Sequence, residues 1–408
     1  MASRRGLLRH LAALSGAAGL SGCSRLLAQR AEAPTADLPP NPLAAELPTS
    51  QHAWNDRLHT DAHGNHVPPR HYRILLLELE ADISKESAAT VERAMRTLEA
   101  AYDYRPSGLL HALAWGSGYF ERLDALEASP IRHPKVLSRV DTPDLLAFDA
   151  ALVLASDIPS HLAAVDSAMF RSRTDLGGDP VNDRLGDVFR VAERRTGFLG
   201  EGLPAAHADA EGVPDSLPES APNFSGFGTG RRETQATEER VTIRDGPWAG
   251  GTTMHLSQLQ LSLDSWWERP ASEQVAQLFG PDFEPSEIDM DPSLPFSDKV
   301  EEHAAEEGVV GHFEKAARAR DENGEPRLLR RDFDSADGGH AGTEFLSFQR
   351  ELQDFERVRD AMNGWWLRDE SSQITDRTNN GILEFITVRS RANFYVPPRD
   401  ERAFPGSG

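Results

Sequence analysis

Short apolar runs alternate with helix-forming segments along this chain, and that order constrains the fold more than any other feature. The run RILLLEL (73–79) has the length and composition of a buried strand. Helix-forming residues follow at 84–103, where Ser84 is placed to cap the helix. Further strands are predicted at 109–115, 150–156 and 187–193, and a helix is predicted from Pro159 onwards. The first half therefore has the order β-α-β, then β-α-β.

The same order begins again after a long polar segment. Strands are predicted at 259–266, 344–349 and 381–387, and helices are predicted between them at 270–280 and 351–363. Two such halves predict an α+β fold of two ferredoxin-like units, each an antiparallel sheet with helices on one face. We expect a first unit at 71–200, a linker or excursion at 201–240, a second unit at 241–400 that holds an acidic insertion at 281–325, and a tail at 401–408.

The charge balance of the chain excludes some classes of partner. Among 408 residues, 65 are Asp or Glu and 43 are Lys or Arg, which gives a net charge of −22. A nucleic-acid-binding face needs clustered cations, and so does adsorption on anionic lipid, so neither partner is expected. Only four of the basic residues are Lys. This composition is typical of proteins from salt-loving organisms, and a GC-rich genome with an acidic bias is the alternative.

The N-terminal segment SRRGLLRHLAALSGAAGLSGC has the features of an export signal. Arg4 and Arg5 form a twin-arginine motif before a weakly apolar stretch. Leu20 to Cys23 resemble a lipobox, in which the cysteine receives the lipid after cleavage. We therefore expect residues 1–23 to direct twin-arginine export and lipid anchoring at Cys23, outside the cytoplasm. A chance Arg-Arg pair in a basic leader, with a free thiol at Cys23, is the alternative.

Residues 24–70 are predicted to form a tether and a polar N-terminal segment. The sequence HTDAHGNHVPPRH (59–71) places four histidines close together: His59, His63, His66 and His71. Such spacing is compatible with an open copper or zinc site. Because a glycine and two prolines separate the ligands, a polar loop is the favoured interpretation. Cys23 is the only cysteine, so the sequence excludes internal disulfides and multi-cysteine metal sites.

A basic stretch stands out in this acidic protein. GHFEKAARARDENGEPRLLRRDF (311–333) holds six basic side chains and begins beside His312. His303, nine residues earlier, is a second histidine of interest, and four acidic residues near it are candidates to orient an imidazole: Glu301, Glu302, Glu306 and Glu307. A lone histidine is more often structural than a ligand, so residue types alone do not decide the role of this stretch.

Several longer segments carry a resemblance to a known family. LLHALAWGSGYFERL and DLLAFDAALVLASDIPSHLAA lie in the first half, and LSLDSWWERPASEQVAQLFG and TEFLSFQRELQDFERVRDAMNGWW lie in the second. In this order they resemble segments of the dye-decolorising peroxidase superfamily. The resemblance spans about residues 71 to 390. It implies two ferredoxin-like domains, one heme b per chain, and reduction of hydrogen peroxide with oxidation of an electron donor that the sequence does not identify.

The same resemblance assigns site residues. His312 precedes Leu328-Leu329-Arg330 at the spacing that separates the family's proximal histidine from its distal arginine. His312 is then implied as the iron ligand and Arg330 as the distal residue, with Arg331 as the alternative in register and His303 as the rival ligand. Neutral imidazole is a common axial donor, and a fixed guanidinium stabilises the charge that develops on peroxide. Four other basic residues are expected either to meet heme propionates or to be solvated: Lys315, Arg318, Arg320 and Arg327.

The chain departs from the family's Gly-x-x-Asp-Gly motif, whose Asp transfers a proton between peroxide oxygens. In RTGFLGEGLP (195–204), Gly197 and Phe198 match the start of the motif, but Gly200 stands where Asp is expected. Glu201 follows one position later and is a candidate for the proton transfer. Exported heme peroxidase is the leading functional hypothesis. A non-catalytic heme-binding or iron-acquisition protein is the alternative that Gly200 favours, and a relative that has lost heme is a third.

Overall fold

The computed structural model describes residues 33–228, 231–290 and 297–406. The export signal and Cys23 fall outside these residues, so the structure does not bear on them. No helix within the described residues combines the length and apolarity that crossing a membrane requires. The described residues form one compact unit by their contacts, so the boundaries expected between the two halves stay predictions.

Nine main strands carry the fold. They are β1 (His71–Leu79), β2 (Leu110–Gly116), β3 (Ala150–Ser156), β4 (Phe189–Phe198), β5 (Thr252–Leu261), β6 (Leu329–Arg330), β7 (Phe333–Ser335), β8 (Gly342–Gln349) and β9 (Ile386–Val396). The two-residue strand Asp144–Leu145 runs parallel to β9, and two small hairpins pair His59–Thr60 with His66–Val67 and Asp175–Leu176 with Asp179–Pro180.

The helices lie between the strands in sequence. They are α1 (Lys85–Ala101), α2 (Ser117–Arg122), α3 (Pro159–Phe170), α4 (Glu238–Val241), α5 (Leu263–Trp267), α6 (Ala271–Leu278), α7 (Pro285–Met290), α8 (Val300–Glu306), α9 (His312–Arg318), α10 (Leu352–Asn363) and α11 (Leu367–Glu370). The predicted cap of α1 is confirmed, because the Ser84 side chain accepts a hydrogen bond from the Ser87 backbone N–H.

Pairing between the main strands is antiparallel, and it closes into a ring. The order is β5-β8-β7-β4-β1-β3-β2-β9, and β9 pairs again with β5. Two short seams join the halves of the chain. At one, Asp334 of β7 pairs with Phe198 of β4, and at the other Phe394 of β9 pairs with Gly116 of β2. Closure leaves few free strand edges, which protects such a sheet from pairing with other chains.

Alternation along the strands sorts their side chains into two environments. Ile74, Leu76, Met254 and Leu346 belong to one apolar core that both halves share. In the first half, the residues between them on the strands, such as Leu75, pack with α1 and α3 in a second core. In the second half, the corresponding face of β5 and β8 turns towards α9 and α10. The predicted α+β architecture is confirmed, with antiparallel strands and helices packed outside them.

Some sequence predictions of local structure were wrong. Residues 259–266 were predicted as one strand, but β5 ends at Leu261 and α5 begins at Leu263. Apolar residues continue past the end of the strand because Leu263 and Trp266 are the buried residues of α5. Within the expected linker or excursion at 201–240, Phe224 is fully buried in an apolar cluster, and the bounds of that segment stay a prediction. The insertion 281–325 contains α7, α8 and α9.

One seam depends on a glycine. A Cβ at Gly197 would lie 2.1 Å from the Asp334 carbonyl oxygen and 2.3 Å from the Phe333 ring. We expect Gly197→Ala to lower the free energy of unfolding by about 1–3 kcal/mol, since the strands must separate to admit the methyl group. Chemical denaturation measures this value. Gly228→Ala is the control, because no atom lies within 4 Å of its added Cβ, and equal loss in both variants would contradict the prediction.

Candidate functional site

A cavity of about 290 Å³ lies between the second-half sheet and the helices that cover it. Leu259, Phe345 and Val388 line it from the strands, and Phe313 and Phe355 line it from α9 and α10. Most of its wall is therefore apolar. Cavities of this kind, with a few polar groups in an apolar lining, are the usual form of small-molecule and cofactor sites.

Strand alternation brings three charged side chains to this cavity. The antiparallel register continues without a bulge from Arg330 opposite Ser347 to Phe333 opposite Glu344. Arg330, Asp332 and Asp334 therefore share one face of the strand, and all three line the cavity. Phe333, between Asp332 and Asp334, stacks on Tyr72 in the shared core.

His312 reaches the cavity from the opposite side, at the first turn of α9. The backbone before it is closely packed, since a Cβ at Gly311 would lie 2.5 Å from the Gly280 nitrogen. Burial, with smaller contributions from the charges of Lys315, Arg330 and Arg359, lowers the pKa of His312 to about 3. The imidazole is thus neutral at neutral pH. Its Nδ1 is buried and has no hydrogen-bond partner in the described part of the chain.

Lys315 fixes α9 in place. This fully buried side chain donates from Nζ to the Met362 carbonyl at 2.9 Å, to the Asn380 carbonyl at 2.7 Å and to Asn380 Oδ1 at 2.6 Å. Burial holds the pKa of Lys315 well below its usual range. Because its donors are satisfied by the end of α10 and by Asn380 in the segment between α11 and β9, Lys315 joins α9 to both, and it does not line the cavity.

The structure separates the two arginines that the sequence left as alternatives. Arg330 lines the cavity and donates from Nη2 to Thr234 Oγ1 at 3.2 Å. Arg331 points away from it, where Nη2 donates to Asn55 Oδ1 at 2.6 Å and lies 3.5 Å from Glu238. Its guanidinium stands over the Trp54 ring. Arg330 is therefore the arginine that faces the same space as His312.

Two further arginines line the cavity from β9 and α10. Arg391 is buried and donates from Nη1 to Ser257 Oγ at 3.3 Å. Burial and the Arg359 charge lower the pKa of Arg391 to about 9, although the Asp141 charge acts to raise it. Arg359 lies 3.6 Å from Asp141, which is also paired with Arg377. The Nε atoms of Arg391 and Arg359 are buried without a hydrogen-bond partner among the described residues.

A buried histidine orients Arg391. His255 Nδ1 donates to Asn393 Oδ1 at 2.7 Å, so Nε2 is the acceptor that faces Ser257 Oγ at 2.7 Å and Arg391 at 3.3 Å. The His255 ring stacks on Phe355 of α10 at 3.6 Å between centroids. Burial and the Arg391 charge hold the pKa of His255 well below its usual range. A neutral histidine adds no negative charge to balance the arginine, so this end of the cavity suits an anionic group.

The residues expected to match the family's acidic motif do not line the cavity. Gly197 and Phe198 form the end of β4, and Phe198 stacks on His207. Glu201 is exposed, and its backbone carbonyl accepts from Arg70 Nη2 at 3.2 Å. Two buried carboxyls line the cavity, Asp141 and Asp334. The Asp334 oxygens accept from the Phe224 N–H at 2.5 Å and from Thr343 Oγ1 at 3.1 Å. Desolvation raises the pKa of Asp334 to about 7.

The other candidates from the sequence have different surroundings. His303 is buried beside Glu314 and Asp282 and does not line the cavity. The acidic residues of α8 are not hydrogen-bonded to His312. Arg318 pairs with Glu301, whereas Arg320 and Arg327 line the cavity, where Arg327 is paired with Asp354. No group of three potential metal ligands comes together within the described ranges, the histidine-rich hairpin included.

Sequence reasoning missed Arg359, Arg391 and Asp334. For Arg359 a signal was present, because Leu352, Phe355, Arg359 and Met362 recur at helical spacing on one face of α10. An arginine on the apolar face of a helix is either paired or functional. Asp334 alternates with buried neighbours on β7, which is a similar signal for a strand.

Comparisons with known proteins place this geometry in context. The model of a family described as being of unknown function (DUF7405) matches residues 69–398. The chain belongs to this family. A comparison with curated proteins finds no match.

Solved structures identify the fold of this DUF7405 member. A putative DyP-type peroxidase from Shewanella oneidensis is similar at a TM-score of 0.54 and 16% identity, over 82% of this chain and 94% of that one. The dye-decolorizing protein from V. cholerae is similar at a TM-score of 0.53 and 14% identity, over 86% of this chain and 98% of that one. A Rhodococcus jostii DypB variant solved in complex with heme is similar at a TM-score of 0.52 and 16% identity, over 86% of this chain and 100% of that one. The chain has the fold of the DyP-type peroxidases.

The two neighbouring arginines should differ in their effect on stability. We expect Arg331→Met to lower the free energy of unfolding by about 2 kcal/mol, because Glu238 and Asn55 lose a buried partner. Arg330→Met should change it by less than about 0.5 kcal/mol, since its guanidinium makes one hydrogen bond at the cavity wall. Urea denaturation of both variants measures the difference. A larger loss of stability for Arg330→Met than for Arg331→Met would contradict the assignment of Arg331 to the buried contacts and Arg330 to the cavity wall.

Proposed function

We propose that this protein binds heme b in the cavity, one per chain, and reduces hydrogen peroxide there while oxidising an electron donor. The observation that carries the proposal is that His312 and Arg330 reach one apolar cavity from opposite walls. The DyP-type fold supports it, and the similar Rhodococcus structure is a complex with heme.

The residues present fit a heme group. His312 offers a neutral imidazole, a common axial donor for heme iron, and its low pKa keeps the nitrogen lone pair available. The apolar wall suits a porphyrin. Arg391 and Arg359 are buried cations whose Nε atoms lack partners in the described residues, and they would hold the propionate carboxylates.

Arg330 would act on peroxide. Heme supplies the redox chemistry when it is bound, and the protein must stabilise negative charge on the peroxide oxygens. A guanidinium that is fixed in an apolar cavity does so without reorganisation. The hydrogen bond to Thr234 and the bond from the Arg330 backbone N–H to Gln235 Oε1 at 2.8 Å hold the residue in position.

The cavity arginines give a test of binding that does not depend on turnover. We expect Arg391→Leu to weaken hemin binding by about 10-fold or more, since one charge-assisted hydrogen bond stabilises by about 1.5–3 kcal/mol. Hemin dimethyl ester, which has no carboxylates, should bind wild type and Arg391→Leu with similar affinity. Absorbance titrations measure both. Equal weakening for the two porphyrins would show that Arg391 does not recognise propionates.

The peroxidase assignment is tested on the hemin-loaded protein. We expect Arg330→Leu to keep its hemin spectrum but to slow the reaction with hydrogen peroxide by about 10²-fold or more, as removal of one charge-stabilising group does in other active sites. Stopped-flow absorbance measures the rate. Arg320→Leu is the matched control, because Arg320 lines the same cavity but donates to the carbonyls of Gly324 and Glu233. No peroxide reaction in the wild type would contradict the assignment.

Non-catalytic heme binding or iron acquisition is the second candidate function. Two observations favour it. Position 200 carries no acid, and His312 Nδ1 has no carboxylate partner among the described residues, whereas the free ring nitrogen of a metal-bound histidine usually donates a hydrogen bond. A tight hemin complex without peroxide reactivity would support this function.

We also propose that the protein is exported by the twin-arginine machinery and anchored through a lipid on Cys23. Arg4 and Arg5 and the lipobox that ends at Cys23 support the proposal. A halophilic origin is proposed on the acidic, lysine-poor composition.

A further inference from the structure

We propose that Asp332 accepts the proton that hydrogen peroxide loses when it binds beside Arg330. The inference rests on the proposed heme-dependent function and assigns a residue that the sequence motif did not reveal. Peroxide must lose a proton to bind as its anion, and a carboxylate within reach of the incoming molecule is suited to accept it.

The backbone explains why position 200 cannot supply this acid. Gly200 has a φ of +125°, in a region that residues with a side chain rarely adopt. Its N–H donates to the Pro222 carbonyl at 2.9 Å, which holds the turn in this conformation. An aspartate there would strain the loop. Glu201, the next residue, is exposed and does not line the cavity.

Asp332 supplies a carboxylate at the cavity that the Gly200 turn does not. Asp334 pairs with Phe198 at the end of β4. Asp332 precedes Asp334 by two residues on the same face of the strand and lines the cavity. Gly200 follows the end of β4 and does not line the cavity.

The position of Asp332 relative to Arg330 suits a small ligand. The two residues lie on one face of the strand, two positions apart, so their Cα atoms are separated by about 7 Å. Both line the cavity, and no salt bridge joins them. A small molecule between the two side chains can meet a hydrogen-bond donor on one side and a proton acceptor on the other.

The Asp332 carboxylate is free to act. It is half-buried, and no hydrogen bond or ion pair joins it to another residue in the described ranges. The two other acids at the cavity are engaged: Asp141 pairs with Arg359 and Arg377, and Asp334 accepts through both oxygens from Phe224 and Thr343. Asp334 therefore ties a loop to the sheet, whereas Asp332 has no such structural contact.

The proposed step is a proton transfer without a change of oxidation state. The O–H bond of hydrogen peroxide breaks, its electron pair stays on the oxygen, and the proton bonds to a carboxylate oxygen of Asp332. The products are the hydroperoxide anion, stabilised by the Arg330 guanidinium, and a neutral Asp332 carboxyl. The same proton is then available for the outer oxygen.

Ligand binding tests this role without turnover. Hydrogen cyanide must lose a proton to bind ferric heme as cyanide, whereas carbon monoxide binds ferrous heme without proton transfer. In the hemin-loaded chain we expect Asp332→Asn to slow association of hydrogen cyanide, and the peroxide reaction, by about 10²-fold or more. Carbon monoxide association should stay within about 3-fold of wild type. Asp332→Glu, which keeps the acid, should restore most of the cyanide rate, and Glu201→Gln should leave all three rates unchanged.

The outcomes distinguish failure of the Asp332 role from failure of heme binding. Wild-type cyanide rates in Asp332→Asn would overturn the role of Asp332, as would equal slowing of cyanide and carbon monoxide, which indicates a change in access. A selective loss in Asp334→Asn alone would assign the role to Asp334 and overturn this proposal. Absence of a hemin complex in the wild-type chain would overturn the proposed function itself, and this inference with it.

Discussion

The closed antiparallel ring, with its two faces, is the constraint on which the rest of the structure depends. Because side chains alternate along a strand, each strand of the second half sends one set of residues into the shared core and the other towards α9 and α10. Leu329 and Phe333 stabilise the ring, and Arg330 and Asp332 between them reach the cavity. A shift of register by one residue would exchange these sets. The identity of the cavity arginine is thus fixed by the packing of the core.

The cavity reverses the electrostatics of the molecule around it. The chain carries a net charge of −22, yet Arg330, Arg359 and Arg391 all line this one space. Their positive charge has two consequences that act together. The Arg330 and Arg359 charges add to burial in keeping His312 neutral, and the three arginines make the cavity favourable for a ligand that brings negative charge of its own. Heme with its two propionates combines a metal, a large apolar surface and two anions, and it matches the histidine, the apolar wall and the arginines respectively.

Sequence patterns predicted the regular elements well and the site in part. The apolar run at 73–79 and the capped helix after it were confirmed because their signals are local. His312 and Arg330 were named from a family resemblance, and the structure places both at one cavity. Arg391 was missed because its role depends on cross-strand neighbours, His255 and Ser257, that lie more than 130 residues away in the chain. Local periodicity carries no information on such contacts. The sequence showed only that Gly200 stands where the family has an acid. The φ of +125° at Gly200 shows that the turn favours glycine.

Binding of heme through His312 is the central claim, and an absorbance titration tests it most directly. Hemin is added to the purified wild-type chain, to His312→Ala and to His303→Gln, with folding of each variant checked by circular dichroism. The account predicts a sharp Soret band at one hemin per chain in the wild type and in His303→Gln, and loss or displacement of that band in His312→Ala. A wild-type chain that is folded but gives no specific band, or a band that His312→Ala retains unchanged, would contradict the account.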